Sequence, residues 1–368
     1  MALYVRKQLL EPRQPPVERD SASIRIFKRA FSSVPNGILT CIVIGFFVTV
    51  GIWFIKWGVL TAQWFGDSAA ACPDPDGACW PYIIARWKPI LAGQYPYKEL
   101  WRVYAFMAML IGLIAWITID RIPSKGIAIT VSLTLFPAFS AVILLGGVFG
   151  LSTVATNEWG GVLITVVTAV FTMIFSLPLG LILAVGRMSN MPIIKTFCIA
   201  FVELMRGTPL LTVLFVAATI FPLVLPEGVH IDLFARALIA FLLFNGAMIS
   251  EVFRGGLQSI RRGQYEAATT IGLGWLATFV FIILPQAVRV IIPALVNSMV
   301  AIIKETTVLL VIGLFDFMAI IHSGVASQDW IGGSHILVSG YVFTALCFML
   351  VCSSLSKYSR RFERRAGS

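Results

Sequence analysis

The sequence predicts an all-α polytopic membrane protein of about eight transmembrane helices. Three observations carry that expectation. Of its 368 residues 58% are hydrophobic and 12% charged, with a mean hydropathy of +0.89. Apolar runs recur along the chain, each suited to a hydrocarbon core of roughly 30 Å, which needs about 20 helical residues. No run alternates polar and apolar residues as the strands of a membrane barrel do.

The runs place spans near 38–60, 103–119, 127–150, 159–186, 196–225, 232–253, 277–315 and 336–356. Their orientation follows from charge. The net charge is +10, and most basic residues fall in five segments that one topology puts on a single side. These are the N-terminal tail (Arg6, Lys7, Arg13, Arg19, Arg25, Lys28, Arg29), Arg121 with Lys125, Arg187 with Lys195, Arg254 with Arg261 and Arg262, and the C-terminal tail (Lys357, Arg360, Arg361, Arg364, Arg365). Such a bias marks the cytoplasmic side, so both termini are expected there. The basicity orients the chain and implies no nucleic-acid partner.

Residues 1–36 read as a polar tail, disordered or lying on the membrane surface. Residues 37–150 carry three helices, with a long external loop over about 61–102. Cys72 and Cys79 lie in that loop, on the oxidising side, and read either as a disulfide or as two free thiols. Cys41, Cys198, Cys347 and Cys352 read as small packing residues within helices. Gly146 and Gly150 form a GxxxG pair, a close helix contact or a chance spacing. Residues 155–357 form a second, five-helix block, and 358–368 a basic tail. The run 277–315 is too long for one straight span, at almost 60 Å if helical. Breaks are expected at Pro285 and Pro293, because each proline removes a backbone donor.

The polar interruption of the second block is its most informative stretch. In a loop over 254–276, Glu266-Ala267-Ala268 is followed by Gly272, and then by Ile282, Leu284 and Pro285. A helix starting near Gly263 would put Glu266 in its first turn, where the helix dipole favours a carboxylate. Ala267 and Ala268 would let another protein approach the backbone, and Gly272 permits a sharp turn. An ordinary capped connector is the plainer reading of Glu-Ala-Ala alone. The full spacing, however, resembles the signature loop of permease subunits of binding-protein-dependent ABC importers. Further stretches are similar to motifs of the polar-amino-acid branch, the histidine/glutamine-type permeases. They are Glu203 to Leu211 with Arg206, Gly207, Thr208 and Pro209, then Glu251 to Gly256 with Arg254, Pro285 to Arg289, and Lys304 to Thr307. Together they cover about residues 155–360. The three preceding helices and their long external loop look like the larger permease subunits of general L-amino-acid transporters.

The resemblance implies a transport subunit of a bacterial inner membrane that is not itself an enzyme. It implies a coupling helix, with Gly263, Glu266, Ala267, Ala268, Gly272, Leu284 and Pro285 marking the site that docks on a separate ATPase. Two ATP-binding subunits would carry ATP and magnesium. A second, related permease chain and a periplasmic amino-acid-binding protein would complete the importer. The residues themselves agree with an external energy source: there is no Gly-Lys dipeptide, hence no phosphate-binding loop. His230, His322 and His335 are scattered without metal-ligand spacing, so neither a metal nor a bound cofactor is expected.

Polar groups inside spans mark pathways or internal ties. Lys304, Glu305 and Thr306 are expected to line a pathway for an L-amino acid, or to hold an ion pair at a kink. Asn245 and Asn297 are weaker candidates, since Asn also bonds helices together. Glu203 and Arg206, one turn apart, are expected to neutralise each other at the start of a bent helix. The rival reading is an ion-gradient-driven secondary transporter, which would also use broken helices but would not need the Glu266 loop.

Overall fold

The structure, a computed structural model, describes residues 22–119, 121–331 and 334–366. The expected N-terminal tail lies outside the described residues as far as position 21, as does position 120. The chain divides into two compact units, Met1–Ala62 with Asp76–Ala78, and Gln63–Pro75 with Cys79–Ser368.

In the first unit the short helix α1 (Ala22–Ala30) precedes α2 (Val34–Ile55), so part of the expected tail is helical. Ser33 caps α2, its hydroxyl accepting from the Asn36 amide at 3.4 Å, with Pro35 in the first turn, where it costs no helical bond. None of the α2 residues is buried. A helix apolar all round and uncovered suits hydrocarbon as its surroundings. For the same reason Cys41 is exposed rather than packed as expected.

The second unit begins with the expected external loop, which is instead folded. Helices α3 (Pro81–Ala85) and α4 (Trp87–Ala92) lie in it, and Cys72 and Cys79 are disulfide-bonded, with Cα atoms 5.8 Å apart. Both half-cystines, Tyr82, Ile83 and Ile90 join a buried cluster with Phe317, Ile321 and Trp330. Helix α5 (Leu100–Thr118) follows, then α6 (Lys125–Leu133) and α7 (Leu135–Leu145), bent by 44°. Helix α7 ends at Gly146, with φ 71°, and Gly150 has φ 75°. These glycines therefore lie in a turn beyond the helix and form no helix-contact motif; a Cβ at Gly146 would stand 2.0 Å from the Ser152 carbonyl oxygen.

The second block is organised on α8 (Gly161–Met188) and α12 (Leu233–Gln258), which pack along most of their length. Gly180 permits this: a Cβ there would meet Ile249 Cγ2 at 2.7 Å. The expected span 196–225 is two segments, α9 (Pro192–Gly207) and then α10 (Leu210–Phe215), which continues through a π turn into α11 (Phe221–Val224); they meet at 103°. Pro209 sets the corner, because the residue before a proline is driven out of the helical region; Thr208 has ψ 143°.

The 275–312 stretch also differs from expectation. Neither proline breaks it. After α14 (Trp275–Ala277) a π-helical stretch Thr278–Ile283 leads into α15 (Leu284–Glu305), which accommodates Pro285 in its first turn and Pro293 inside it. A second change of helix type falls at Thr306–Ile312, which is 3-10 helix. Helix α13 (Arg262–Thr270) lies just before, and α16 (Phe317–Gly324) and α17 (Ser334–Ala366) complete the unit. Since α17 runs to Ala366, most of the expected basic tail is helical. All eight expected spans have counterparts: six single helical stretches and two bent pairs. Among the described residues there is no β-strand, only isolated bridges.

Candidate coupling helix and polar residues of the membrane core

Helix α13 starts one residue before Gly263, so Glu266 falls just past its first turn rather than within it. Its termination explains the Gly272 spacing. The Leu273 amide donates to the Ala268 carbonyl at 3.1 Å and the Gly272 amide to Thr269 at 3.0 Å. This paired closure is a Schellman cap, and it requires a left-handed residue at the Gly272 position; φ there is 79°. A Cβ at Gly272 would find open space, so backbone conformation alone selects glycine.

The two alanines differ, contrary to expectation. Glu266 and Ala267 are exposed, whereas Ala268 is 1% exposed and is the residue by which α13 seats on its own chain. A methyl group there lets the helix lie close against the π stretch below it. A second tie runs from Gln286 Nε2 to Gln264 Oε1 at 3.1 Å, one residue beyond Pro285, which is itself exposed; Leu284 is half-buried. The helix is thus anchored on one side and open on the other. Beside it a groove of about 690 Å³ is lined by Met188, Gln258, Arg262, Tyr265 and Trp275 among others. Burial pushes the Tyr265 phenol above its usual range.

At the same end of the molecule Glu251 gathers three guanidinium groups. Arg254 donates to it at 2.7 Å, Arg206 at 2.9 Å, and Arg187 is also bonded. Glu203 pairs with Arg187 at 3.4 Å. The expected Glu203–Arg206 pair is therefore replaced by a network joining α8, α9 and α12. Arg187 is its least exposed cation, and the sequence reading used it only to assign sidedness.

Deeper in the unit, Asn245 is buried and donates to the Phe241 carbonyl at 3.2 Å and to Glu305 Oε2 at 3.4 Å. Lys304 turns elsewhere, into a cavity of about 590 Å³ between the end of α15 and helices α16 and α17. Neighbouring in sequence, Lys304 and Glu305 thus serve different surroundings and form no local ion pair. Thr306 is fully buried, its hydroxyl donating to the Ile303 carbonyl at 2.8 Å. Asn297 is exposed on α15. A polar stripe missed in the sequence, Thr165, Thr168, Thr172 and Ser176, is buried along α8. Its spacing of one helical face was the available signal.

A chain of broken and bent apolar helices, with polar side chains inside and one short helix displayed beyond the spans, is a polytopic membrane protein. Residues 176–367 match the family of binding-protein-dependent transport system inner membrane components. The chain belongs to that family, a family of transporter permease subunits. Members act with ATP-binding subunits and a periplasmic binding protein. The chain is 37% identical, over 97% of its length and 96% of the relative's, to the inner membrane amino-acid ABC transporter permease protein YhdY of Escherichia coli. It is 32% identical, over 98% of each, to the glutamate/glutamine/aspartate/asparagine transport system permease protein BztC of Rhodobacter capsulatus. Among solved structures, an amino acid ABC transporter chain matches 56% of this chain and 92% of its own length, at 28% identity and a TM-score of 0.47.

Proposed function

We propose that the chain is the permease subunit of an ATP-driven importer of L-amino acids, with α13 as the helix that couples it to a separate ATPase. The observation that carries the reading is the way α13 is held. It is closed by the Gly272 cap, seated through Ala268 and tied by Gln264 to Gln286, while Glu266 and Ala267 face outward. A helix fixed on one side and open on the other can transmit a push from a docked partner into α12 and α15.

In this reading two ATP-binding subunits hold ATP and magnesium, and this chain performs no hydrolysis. A periplasmic protein delivers the amino acid, and a related permease chain supplies the other half of the pathway. Both termini and the α13 end face the cytoplasm. Asn245 and Glu305, which are hydrogen-bonded to each other, would line the pathway on the α12 side, with Asn297 on the exposed face of α15. Lys304 would line the pathway from a second cavity, at the end of α15.

The test is co-purification of the tagged chain from its native membrane, comparing wild type with Glu266→Arg plus Gly272→Pro. Recovery of an ATPase with the wild type and its loss with the variant is the expected result. Failure of the wild type to retain an ATPase, in conditions that preserve membrane complexes, would remove the coupling reading. It would then favour gradient-driven uptake by the chain alone.

A further inference from the structure

Lys304 lies inside the Trp275–Ile312 span, and eight positions separate it from the end of that span. At α-helical and 3-10 rises this is about 12–16 Å, too deep for a lysine stem to carry its ammonium to the headgroups. The residue is nonetheless exposed in this chain, and among the described residues no carboxylate pairs with it. A charge left in hydrocarbon at that depth is strongly unfavourable. The cavity it lines must therefore hold water or an anionic group when the chain works.

The other polar walls of the cavity are hydroxyls. Thr307, Tyr341, Thr344 and Ser353 line it with Lys304, and among the described residues no Asp or Glu does. Thr344 is tied to the Gly340 carbonyl at 2.9 Å and Thr307 to the Lys304 carbonyl at 2.9 Å, leaving their oxygens as acceptors. Tyr341 differs. Its oxygen is 2.6 Å from His322 Nδ1, and the two rings lie stacked with centroids 6.3 Å apart. When the Nδ1–H tautomer donates to the phenol oxygen, the Tyr341 hydroxyl is free to donate into the cavity. His322 thereby positions a donor without touching the ligand itself. An ammonium and an orientable phenol, with no acid beside them among the described residues, make a half-site for a carboxylate and offer no counter-charge to an amine.

We propose that the Lys304–Tyr341 cavity binds a carboxylate of the transported amino acid, with His322 as a positioning residue. This deepens the importer reading and rests on it. The carboxylate has two sources, the α-carboxylate shared by all amino acids or the side-chain carboxylate of an acidic one. Glu305 and Asn245 stand outside this site.

The experiment uses the complete importer with its binding protein in proteoliposomes, and measures uptake of L-glutamate and L-glutamine side by side. The variants are Lys304→Gln, Lys304→Arg, Tyr341→Phe and His322→Gln. Tenfold or greater loss of uptake with Lys304→Gln, in complexes that still assemble, is expected. Lys304→Arg should restore much of it, and Tyr341→Phe and His322→Gln should raise KM for uptake more than they lower its maximum rate. Equal loss for both substrates assigns the α-carboxylate, and loss confined to glutamate assigns the side chain. Unchanged uptake of both substrates by Lys304→Gln would overturn the proposal. So would a loss that merely tracks lowered assembly and is not rescued by Arg, since that describes a packing role. Absence of wild-type uptake would instead strike the importer reading itself.

Discussion

Arg206 donates to Glu251 across 2.9 Å, reaching from α9 to α12 instead of pairing with Glu203 one turn back on its own helix. The consequence is that three helices meet through one carboxylate. Glu251 sits eleven positions before Arg262, where α13 begins, so the node lies on the part of α12 that leads into the helix that faces outward.

Glu251→Gln should therefore be the most damaging single change at this end. It leaves the nearly buried Arg187 without its main counter-charge, a situation that costs on the order of 3 kcal/mol. Arg206→Ala should cost much less, roughly 0.5 kcal/mol, because Arg206 is 41% exposed and exposed pairs are weak. Thermal melts of the purified variants give the order; equal losses for the two would refute the central role of Glu251.

The Gly272 cap gives a second, sharper series. Since a Cβ there meets nothing and only the left-handed φ is demanding, replacements should rank by tolerance of that conformation. Gly272→Asn should retain more bound ATPase than Gly272→Ala, and Gly272→Val least, the Ala step costing about 1 kcal/mol. Co-purification yields measure it, and a ranking by side-chain size in place of backbone tolerance would contradict the cap argument.

Much of this was legible beforehand because it rests on local rules. Span number follows from hydropathy, and the Glu266 to Gly272 spacing follows from one helix and its stop. What stayed hidden depends on which face a residue turns to. Nothing local distinguishes Ala267 from Ala268, yet one is open and the other buried. Glu203 and Arg206 satisfy the one-turn rule and still choose partners on other helices, because tertiary packing offers Glu251 three donors. The folded external segment has the sequence of a loop because its helices are short and its core is completed by α16 and α17, far along the chain.

That external segment yields a prediction of its own. The Cys72–Cys79 bond closes a loop with a separation of seven residues, which on the chain-entropy estimate contributes about 2.5 kcal/mol. The Cys79 amide also donates to Ser339 Oγ at 2.8 Å and the Cys72 carbonyl lies 2.9 Å from His335 Nε2, so the bond braces the outer end of α17. A Cys72→Ser, Cys79→Ser double variant should melt several degrees lower, and reductant should lower the wild type but not the variant. Identical melting of both with and without reductant would contradict it.

Asp316 caps α16, accepting from the Ala319 amide at 3.0 Å and from Met318 at 3.3 Å. Burial nevertheless raises its carboxyl from 3.8 to about 6, the backbone donors opposing that only in part. A carboxyl raised on folding holds its proton more tightly in the folded chain, so its contribution to stability is greatest below about pH 4. That contribution is lost as pH rises through about 6 and is constant above. Melting temperature should therefore fall between pH 4 and 6 through this group. Asp316→Asn, which keeps the cap acceptor, should flatten that part of the profile; an unchanged slope in Asp316→Asn would exclude Asp316 as its source.

Lys304 and Glu305 are adjacent in sequence and separate in structure, one lining a cavity with Tyr341 and the other accepting from Asn245. Were they an internal ion pair, removing either would expose the other's charge, and the double substitution would recover part of the loss. With divided surroundings the two effects should add. The cycle of Lys304→Gln, Glu305→Gln and the double variant, read as unfolding free energy, should close to within about 0.5 kcal/mol. A coupling well above that would mean the two charges act on each other, and the separation of an Asn245–Glu305 side from a Lys304 cavity would have to be given up. Asn245→Ala serves as the control: it should couple to Glu305→Gln and leave Lys304→Gln unaffected.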